Sequence, residues 1–414
     1  MRDDLKLCLS MYACEPHRGS EPGVGWAWAL GMAKRHETWV ITRANNRKAI
    51  EEELDRLSVP ADDRPHFVWV DLPSWVLRLK KRGAVPVGLY YFLWQFAARR
   101  AWDRTGIRAD VIHHVTFNTF SVPGVWWKRR EKVVLGPLGG MSVCERQYLR
   151  CFHGARRLAE AARGATRRFW FLDPFFVVSR KIAAVTIYTT EEMRRRMRGK
   201  PERSFTMIEA GVPSLLESRV PEVRISESRI RFVWAGTLAG HKGGELAIRS
   251  FVRAFGPDCR EELCIFGKGP DKNSLEKLVA SLGAGKSVKF QGTVSQTELW
   301  DATARATAMF FTSVRDTSGN VVLEAMACGT PVVCLRHQGV AELVDSSCAV
   351  AVEPAGWEET IDSFADALKL LAGNPELVVR LGAAGRRRAL EKFSWKSKFD
   401  IADEIYLKML SAPQ

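Results

Sequence analysis

The sequence predicts an α/β protein of two Rossmann-like domains, each a doubly wound parallel sheet. Short apolar runs of strand length alternate with amphipathic helical stretches along the chain. This alternation is typical of a parallel sheet that is covered by helices on both faces. The chain has 414 residues, more than one hydrophobic core normally holds, and the alternation starts again near residue 229. We therefore expect two domains in sequence.

The first predicted domain covers residues 1–213. Helical periodicity over residues 24–35 and 89–103 predicts two of its connecting helices. Its predicted strands are the apolar runs at residues 5–9, 39–42, 66–70, 111–115, 133–135 and 183–188.

The second predicted domain covers residues 229–395, after a charged, proline-interrupted linker at residues 214–228. In open α/β sheets ligands bind outside the carboxyl ends of the strands, so a cleft between the two domains is the expected active site. The predicted strands of this domain are residues 230–235, 263–266, 288–290, 309–311 and 332–334.

The composition excludes several classes of protein. The net charge of +15 is accompanied by no helix-turn-helix, zinc-finger or RNA-binding signature, so we expect no nucleic-acid partner. Nine cysteines lack metal or disulfide spacing, and there is no Asp-x-Asp motif, so neither a metal nor a cofactor is expected. The chain has no apolar stretch of bilayer length and no apolar signal-peptide core, which predicts a cytoplasmic protein.

The segment from Asp316 to Val333 carries the most specific chemistry. Ser318, Gly319 and Asn320 form a small, flexible junction before a helix, where free backbone N–H groups suit a diphosphate. Glu324 lies among apolar residues, where a carboxylate needs a partner such as the hydroxyl groups of a ribose. The alternative is that both acids simply favour the dipole of the helix.

Glycine-bearing loops follow several of the predicted strands. In residues 236–244, Lys242 lies among glycines at a helix entrance, where an ammonium group can neutralise phosphate oxygens. This favours a functional role over that of a solvated lysine. Residues 19–25 form a similar loop before a helix that opens at Trp26, and phosphate contact and a plain turn are equally compatible with it. Lys268, in the loop at residues 267–270, is a lesser candidate for nucleotide contact. Residues 338–344 are expected to open another helix.

His113 and His114 end a strand that reads as buried. A histidine at a strand end can bind a sugar hydroxyl or line a reaction centre, and strand alternation directs only one of the two towards a given face. A structural role is equally open for both.

Together these loops resemble the family-4 glycosyltransferases of the GT-B fold, most strongly from residue 232 to residue 344. The first-half segments that carry the resemblance are residues 19–25 and 111–114. The second-half segments are residues 232–243, 264–270, 288–294, 316–324 and 393–395.

The resemblance implies a nucleotide-sugar donor held mainly by the second domain and a glycan or lipid-linked acceptor facing the first. It implies that Lys242 contacts the diphosphate, Glu324 the ribose and Val294 the base. The anomeric configuration would be retained without a metal, and residues 396–414 would pack back on the first domain. The resemblance also gives the remaining candidates: His113, His114 and Asp316 at the reaction centre, and Gly23, Val24, Gly25, Gly236, Thr237, Lys268, Ser318, Gly319, Asn320 and Val321 around the donor.

Two positions depart from the family pattern. Thr237 stands where the family usually has arginine, which removes a diphosphate cation, and Asp316 stands where it usually has glutamate. Arg315 is a candidate replacement for the missing cation.

Cationic and apolar residues mix in residues 75–82, 90–100 and 146–168. Such segments suit peripheral contact with an anionic membrane, or they are amphipathic helices that pack on their own sheet.

The sequence thus predicts a retaining hexosyltransferase that uses a nucleotide sugar, in surface polysaccharide or glycolipid assembly. The alternatives are a non-catalytic nucleotide-sugar or glycan-binding partner in an assembly complex, and a sugar phosphorylase or epimerase on the same scaffold.

Overall fold

The computed structural model describes residues 5–117, 119–122, 124–126, 131–218 and 229–411. The chain forms two compact units: residues 1–141, 169–210 and 395–414 make the first, and residues 142–168 and 211–394 make the second. Residues 142–168, which the sequence assigned to the first domain, therefore group with the second unit. Most of the predicted linker, from residue 219 to residue 228, lies outside the described residues.

Each unit contains one parallel sheet, of seven strands in the order β3-β2-β1-β4-β5-β6-β7 and of six strands in the order β10-β9-β8-β11-β12-β13. The predicted pair of doubly wound sheets is confirmed. The strands are β1 (Lys6–Met11), β2 (Glu37–Thr42), β3 (His66–Trp69), β4 (Val111–Thr116), β5 (Lys132–Leu138), β6 (Val185–Tyr188), β7 (Ser204–Thr206), β8 (Arg231–Ala235), β9 (Glu262–Phe266), β10 (Val288–Gly292), β11 (Ala308–Phe311), β12 (Val332–Leu335) and β13 (Ala349–Val352).

Helices connect the strands. They are α1 (Ser20–Ala33), α2 (Arg47–Arg56), α3 (Ser74–Lys81), α4 (Val87–Thr105), α5 (Ala155–Thr166), α6 (Pro174–Ile182), α7 (Glu191–Arg196), α8 (Ser214–Ser218), α9 (Gly244–Phe255), α10 (Lys272–Ser281), α11 (Gln296–Ala304), α12 (Asn320–Ala327), α13 (Gln338–Leu343), α14 (Trp357–Ala372), α15 (Pro375–Phe393) and α16 (Trp395–Ser411). Among the described residues, none of these helices combines the length and the apolar character needed to cross a bilayer.

The last helix, α16, belongs to the first unit. Phe399 packs its ring on Trp28, with 5.6 Å between centroids, and a Cβ at Gly31 would lie only 1.9 Å from the Phe399 ring. The buried Lys398 donates a hydrogen bond to the carbonyl of Ile208 at 2.5 Å. Burial lowers the pKa of Lys398 to about 7, and Glu209 offsets this only in part. The first unit is thus completed by the C-terminal end of the chain.

In the second unit the direction of winding reverses between β8 and β11, which are neighbours in the sheet but far apart in sequence. The loops that follow these two strands therefore lie side by side at the switch point, the position where open α/β sheets bind ligands. The residue 142–168 segment packs against these loops: a Cβ at Gly240 would lie 2.4 Å from the carbonyl oxygen of Cys151.

Candidate functional site

The loops after β8 and β11 interlock through their backbones. Val314 donates to the carbonyl of His241 at 2.9 Å, and the Thr312 hydroxyl donates to the carbonyl of Gly243 at 2.8 Å. Gly243 has a φ of +68°, and a Cβ there would lie 2.0 Å from the Thr312 carbonyl oxygen. Only glycine fits such a position. The two loops consequently form one surface, at the entrances of α9 and α12.

Lys242 and Asp316 form an ion pair across these loops, between Nζ and Oδ2. The other oxygen of Asp316 accepts the backbone N–H groups of Ser318 at 3.2 Å and Gly319 at 2.9 Å. Burial alone would raise the pKa of Asp316, but the Lys242 cation and the two N–H groups outweigh it and hold the pKa below its usual value. Asp316 is therefore ionised at neutral pH, and it both shapes the loop and holds Lys242.

Helix α13 supports the same loop from a third side. The Gln338 side chain accepts the backbone N–H of Asp316 at 2.9 Å and donates to the carbonyl of Val143 at 2.7 Å. A Cβ at Gly339 would lie 1.8 Å from the Thr317 carbonyl oxygen, so the helix can approach only because this residue is glycine. The predicted helix opening at residue 338 is thus a support for the Asp316 loop.

Glu324 accepts hydrogen bonds from two neutral donors on α11. Trp300 Nε1 lies 3.0 Å from one carboxylate oxygen, and Gln296 Nε2 lies 3.3 Å from the other. Burial raises the pKa of Glu324, and the two donors offset this only in part. Each carboxylate oxygen can accept a further hydrogen bond, so the group can still take hydroxyl donors. Sequence reasoning missed Trp300 and Gln296, because nothing in the sequence pairs α11 with α12.

A cluster of arginines lies beside the Lys242–Asp316 pair. On α5 and the turn that follows it, Glu160, Arg163 and Arg167 recur at the spacing of one helix face. Glu160, whose side chain is 6% exposed, pairs with Arg315 at 2.8 Å. Burial lowers the pKa of Arg163 and of Arg167, and the positive charge of Arg315 lowers both further. Glu160 thus pairs with Arg315, and its negative charge offsets part of the repulsion among the three guanidinium groups.

His241 lies between these two groups of charges. Burial, followed by the nearby cations Lys242 and Arg315, lowers the pKa of His241 to about 4. The imidazole is therefore neutral at physiological pH and adds no charge to the site.

The other residues predicted to surround the nucleotide sugar lie at the same end of the second sheet. The carbonyl of Gly236 packs on Gly267, where a Cβ would lie 2.0 Å from its oxygen. Thr237 and Lys268 are exposed. Half-buried side chains are those of Val294, Ser318, Asn320 and Val321. The buried Asn320 Oδ1 accepts no hydrogen bond from any residue that the structure describes.

Gly23, Val24 and Gly25 are not in a loop, contrary to the prediction. Helix α1 begins at Ser20, so these residues occupy its first turns. A Cβ at Gly25 would lie 2.0 Å from the carbonyl oxygen of Ala13, and one at Gly23 would lie 2.1 Å from that of Arg18. The glycines allow the helix to pack closely on the segment after β1, which is a structural reason for their presence.

His113 and His114 are completely buried in the first unit. His113 contacts the Gly136 carbonyl at 2.7 Å and the Tyr406 hydroxyl at 2.6 Å. Because a carbonyl can only accept, Nε2 of His113 carries the proton. His114 is held by the Tyr91 hydroxyl at 2.6 Å and by Ser10 at 3.0 Å.

Burial lowers the pKa of His113 to about 4 and that of His114 to about 3. All four ring nitrogens are hydrogen-bonded within the unit. This gives both rings a structural explanation, and their catalytic role stays a prediction.

Comparison with known proteins finds a family model that matches most of the second unit. The family model described as "Glycosyl transferases group 1" matches residues 218–388. The MMP alpha-(1->4)-mannosyltransferase of Mycolicibacterium hassiacum is 34% identical over 152 residues, which is 36% of this chain and 36% of that protein. The D-inositol 3-phosphate glycosyltransferase of Streptomyces griseus is 27% identical over 257 residues, which is 59% of this chain and 51% of that protein. The chain thus spans about a third of the length of the first relative and about half of the length of the second.

Solved structures resemble the whole chain at low sequence identity. Sucrose-phosphate synthase from Thermosynechococcus elongatus has a TM-score of 0.68 at 18% identity, covering 99% of this chain and all of that one (100%). Anabaena HepE in complex with UDP has a TM-score of 0.64 at 16% identity, covering 97% of this chain and 99% of that one. These likenesses agree with the two parallel sheets described above. Residues 218–388 thus match the group 1 glycosyl transferases, and the two parallel sheets have the GT-B fold of these solved structures.

Proposed function

We propose that this protein transfers a sugar from a nucleoside-diphosphate sugar to a glycan or lipid-linked acceptor, in surface polysaccharide or glycolipid assembly. The observation that carries the proposal is the pair of interlocked loops at the switch point of the second sheet, where Lys242 and Asp316 meet at the entrances of two helices. Helix entrances offer unpaired N–H groups and a positive dipole end, which suit an anion.

The local charge supports a diphosphate at this position. Lys242, Arg163 and Arg315 supply three positive charges, and Asp316 and Glu160 supply two negative charges, which leaves a surplus of one. Partly buried surplus charge costs free energy unless an anion compensates it. A diphosphate would supply the missing negative charge. Arginine from the residue 142–168 segment would then replace the cation that is missing because position 237 is a threonine.

Glu324 is the proposed ribose ligand. Its carboxylate is bound by only two neutral donors and retains acceptor positions, which two vicinal hydroxyl groups would fill. Val294 would contact the base, and the backbone around Ser318 to Val321 would face the sugar and the phosphates. The unpaired Oδ1 of Asn320 would accept a sugar hydroxyl.

Cations aimed at the leaving diphosphate would stabilise the charge that develops there, without requiring a metal. Retention of the anomeric configuration is part of the proposal, as is a cytoplasmic location. The rival functions, a non-catalytic binding partner and a phosphorylase or epimerase, are not favoured by the glycosyltransferase relatives.

The deciding experiment is a transfer assay with a panel of nucleotide sugars, preceded by thermal-shift screening to find the base and sugar that bind. Binding of the native state raises the melting temperature. Sugar transfer by the native protein, lost in Lys242→Gln and Glu324→Gln variants that remain folded, supports the proposal. Donor turnover that requires free phosphate, or that needs no acceptor, would replace it with one of the enzymatic rivals.

We further propose peripheral contact of the first unit with an anionic membrane. Helices α3 and α4 bury one face, including Val76 and Trp94, and expose large apolar side chains on the other. Phe92 on α4 contacts Phe175 on α6 at 5.0 Å, which makes these faces continuous. The exposed apolar side chains are Trp75, Leu79, Val87, Leu89, Leu93, Phe96, Phe171, Leu172, Val178 and Ile182.

Basic residues such as Arg78, Lys81 and Arg82 adjoin this surface, and that combination suits an anionic leaflet. Flotation with anionic vesicles at low and high salt tests the idea. Binding that salt weakens supports it, and an absence of binding at low salt contradicts it.

A further inference from the structure

A basic pocket lies in the first unit, away from the donor loops. It opens between the end of α6, the strands β6 and β7 and the turn at residues 197–203, with a volume of about 330 Å³. Five of its ten lining residues are cations and none is a carboxylate. The cations are Arg180, Lys181, Arg198, Lys200 and Arg203.

These charges are not neutralised by neighbouring acids. Glu191, on the helix between β6 and β7, is already bound by Arg194 at 2.7 Å and by Arg195 at 2.9 Å. In the part of the chain that the structure describes, no carboxylate pairs with any of the five lining cations. Like charges that converge on one cavity repel one another, and an anion in the cavity would relieve that repulsion.

The pocket is shaped before any ligand arrives. The Arg180 guanidinium donates to the Met197 carbonyl and lies over the rings of Trp170 and Phe176, at 5.4 and 5.7 Å, so its position is fixed. The turn at residues 197–203 is tight. Arg198 has a φ of +51°, a left-handed conformation that costs free energy in any residue other than glycine.

Hydroxyl donors complete the lining. Thr186 and Tyr188 line the cavity together with the cations, while the hydroxyl of Ser204, which also lines it, already donates to the carbonyl of Lys200 at 2.6 Å. Guanidinium, ammonium and hydroxyl groups are the donors that proteins use for phosphate oxygens. The chemistry of the lining therefore selects an anion with several oxygens.

The surroundings indicate the kind of molecule that carries the phosphate. Val178 and Ile182, each 42% exposed, lie four residues apart on α6, and Lys181 lies three residues after Val178, so the three side chains fall on one side of the helix. An apolar strip therefore borders the basic cavity. A phosphate head group would occupy the cavity while acyl chains lie along the strip.

We propose that this pocket binds the phosphate group of an anionic lipid. The site is separate from sugar transfer, but the lipid assignment rests on the membrane contact proposed above, with which it shares Val178 and Ile182.

Two probes test it: inorganic pyrophosphate, and phosphatidylcholine vesicles with and without phosphatidic acid. Both are titrated against protein that carries Lys242→Gln, which weakens the donor site. Adding Lys200→Gln and Arg203→Gln should weaken binding of both probes on the order of tenfold. The pair Lys34→Gln and Arg108→Gln, which removes two exposed charges elsewhere in the first unit, should leave binding unaltered.

The charge-preserving pair Lys200→Arg and Arg203→Lys should keep the affinity, and melting curves should show that every variant is folded. Loss of vesicle binding with loss of pyrophosphate binding supports the lipid phosphate. Loss of pyrophosphate binding alone overturns the lipid assignment in favour of a soluble phosphate compound. Unchanged binding of both probes in the Lys200→Gln/Arg203→Gln protein overturns the site.

Discussion

Lys242 and Asp316, which lie 74 residues apart in the chain, form an ion pair that joins the loops after β8 and β11. The pairing means that the cation assigned to the donor phosphates is partly neutralised until a stronger anion arrives. Because the backbone N–H groups of Ser318 and Gly319 bind the second oxygen of Asp316, this acid is also the organiser of its own loop.

Asp316→Asn should separate these two tasks. An asparagine side-chain oxygen can still accept the two N–H groups, while Lys242 loses its counter-charge. We expect affinity for a nucleoside diphosphate to rise several-fold and turnover to fall, which steady-state kinetics and calorimetry would resolve. A fall in diphosphate affinity would contradict the arrangement.

The same variant should alter the response to acid. The pKa of Asp316 in the folded protein is below its usual value, so the carboxylate stabilises the fold at neutral pH and this contribution is lost as pH falls through the folded pKa. Asp316→Asn should therefore reduce stability at pH 7 more than at the acid end of the unfolding curve. Equal losses at both pH values would argue against the pair.

Glu324→Gln should have effects of opposite sign on stability and activity. The pKa of Glu324 is raised by burial, so the charged form is disfavoured in the fold and its cost grows as pH rises through that pKa. The amide should raise the melting temperature of the unliganded protein at neutral pH while lowering transfer by about 10²-fold, the order seen when one positioned polar group is lost. Unfolding scans and initial rates measure the two effects.

Arg163→Gln should likewise stabilise the unliganded protein, and it should weaken binding of the nucleotide-sugar donor. Removing one of three guanidinium groups around Glu160 relieves repulsion but also removes charge that faces the diphosphate. Arg157→Gln, an exposed change on the same helix, is the matched control and should alter neither property.

Glu160→Gln completes this test. The three arginines then lack their carboxylate, so the protein should melt at a lower temperature and recover when pyrophosphate is added. If pyrophosphate gives this variant no greater stabilisation than the native protein, the cluster is a purely structural network.

Gly243→Ala should destabilise the second unit by about 2 kcal/mol or more, because it combines left-handed strain with a clash. Two other glycines separate the cost of the left-handed backbone from the cost of the clash. Gly256 also has a positive φ but open space around it, and Gly285 has open space without that conformation. Denaturant unfolding should therefore rank the three alanine variants, with Gly243→Ala the least stable and Gly285→Ala close to native.

The central strands of both sheets could be predicted because buried parallel strands are continuous apolar runs. Two short strands were missed: β7 has only three residues with a serine and a threonine at its ends, and β13 reads as an alanine–valine repeat without a strong boundary. The Asp316 loop was recognisable from its glycine and acidic residues. Its partners were not, since Trp300, Gln338 and the arginines of α5 reach the site through tertiary contacts that leave no local pattern.

The glycines of residues 19–25 illustrate the opposite error. A glycine-rich stretch after a strand predicts a phosphate loop, but the same residues also permit a helix to lie close against neighbouring backbone. The sequence does not distinguish these uses, because both require the absence of a side chain.

Helix α16 has a consequence for the order in which the protein is made. The ring of Phe399 fills the space above Gly31 and Trp28, yet it leaves the ribosome after the whole second unit has been synthesised. During translation the apolar face of the first unit that α16 covers therefore stays exposed until α16 is synthesised. The second unit can complete its own core before that. A chain truncated after residue 394 should therefore contain a second unit that resists protease and a first unit that remains susceptible.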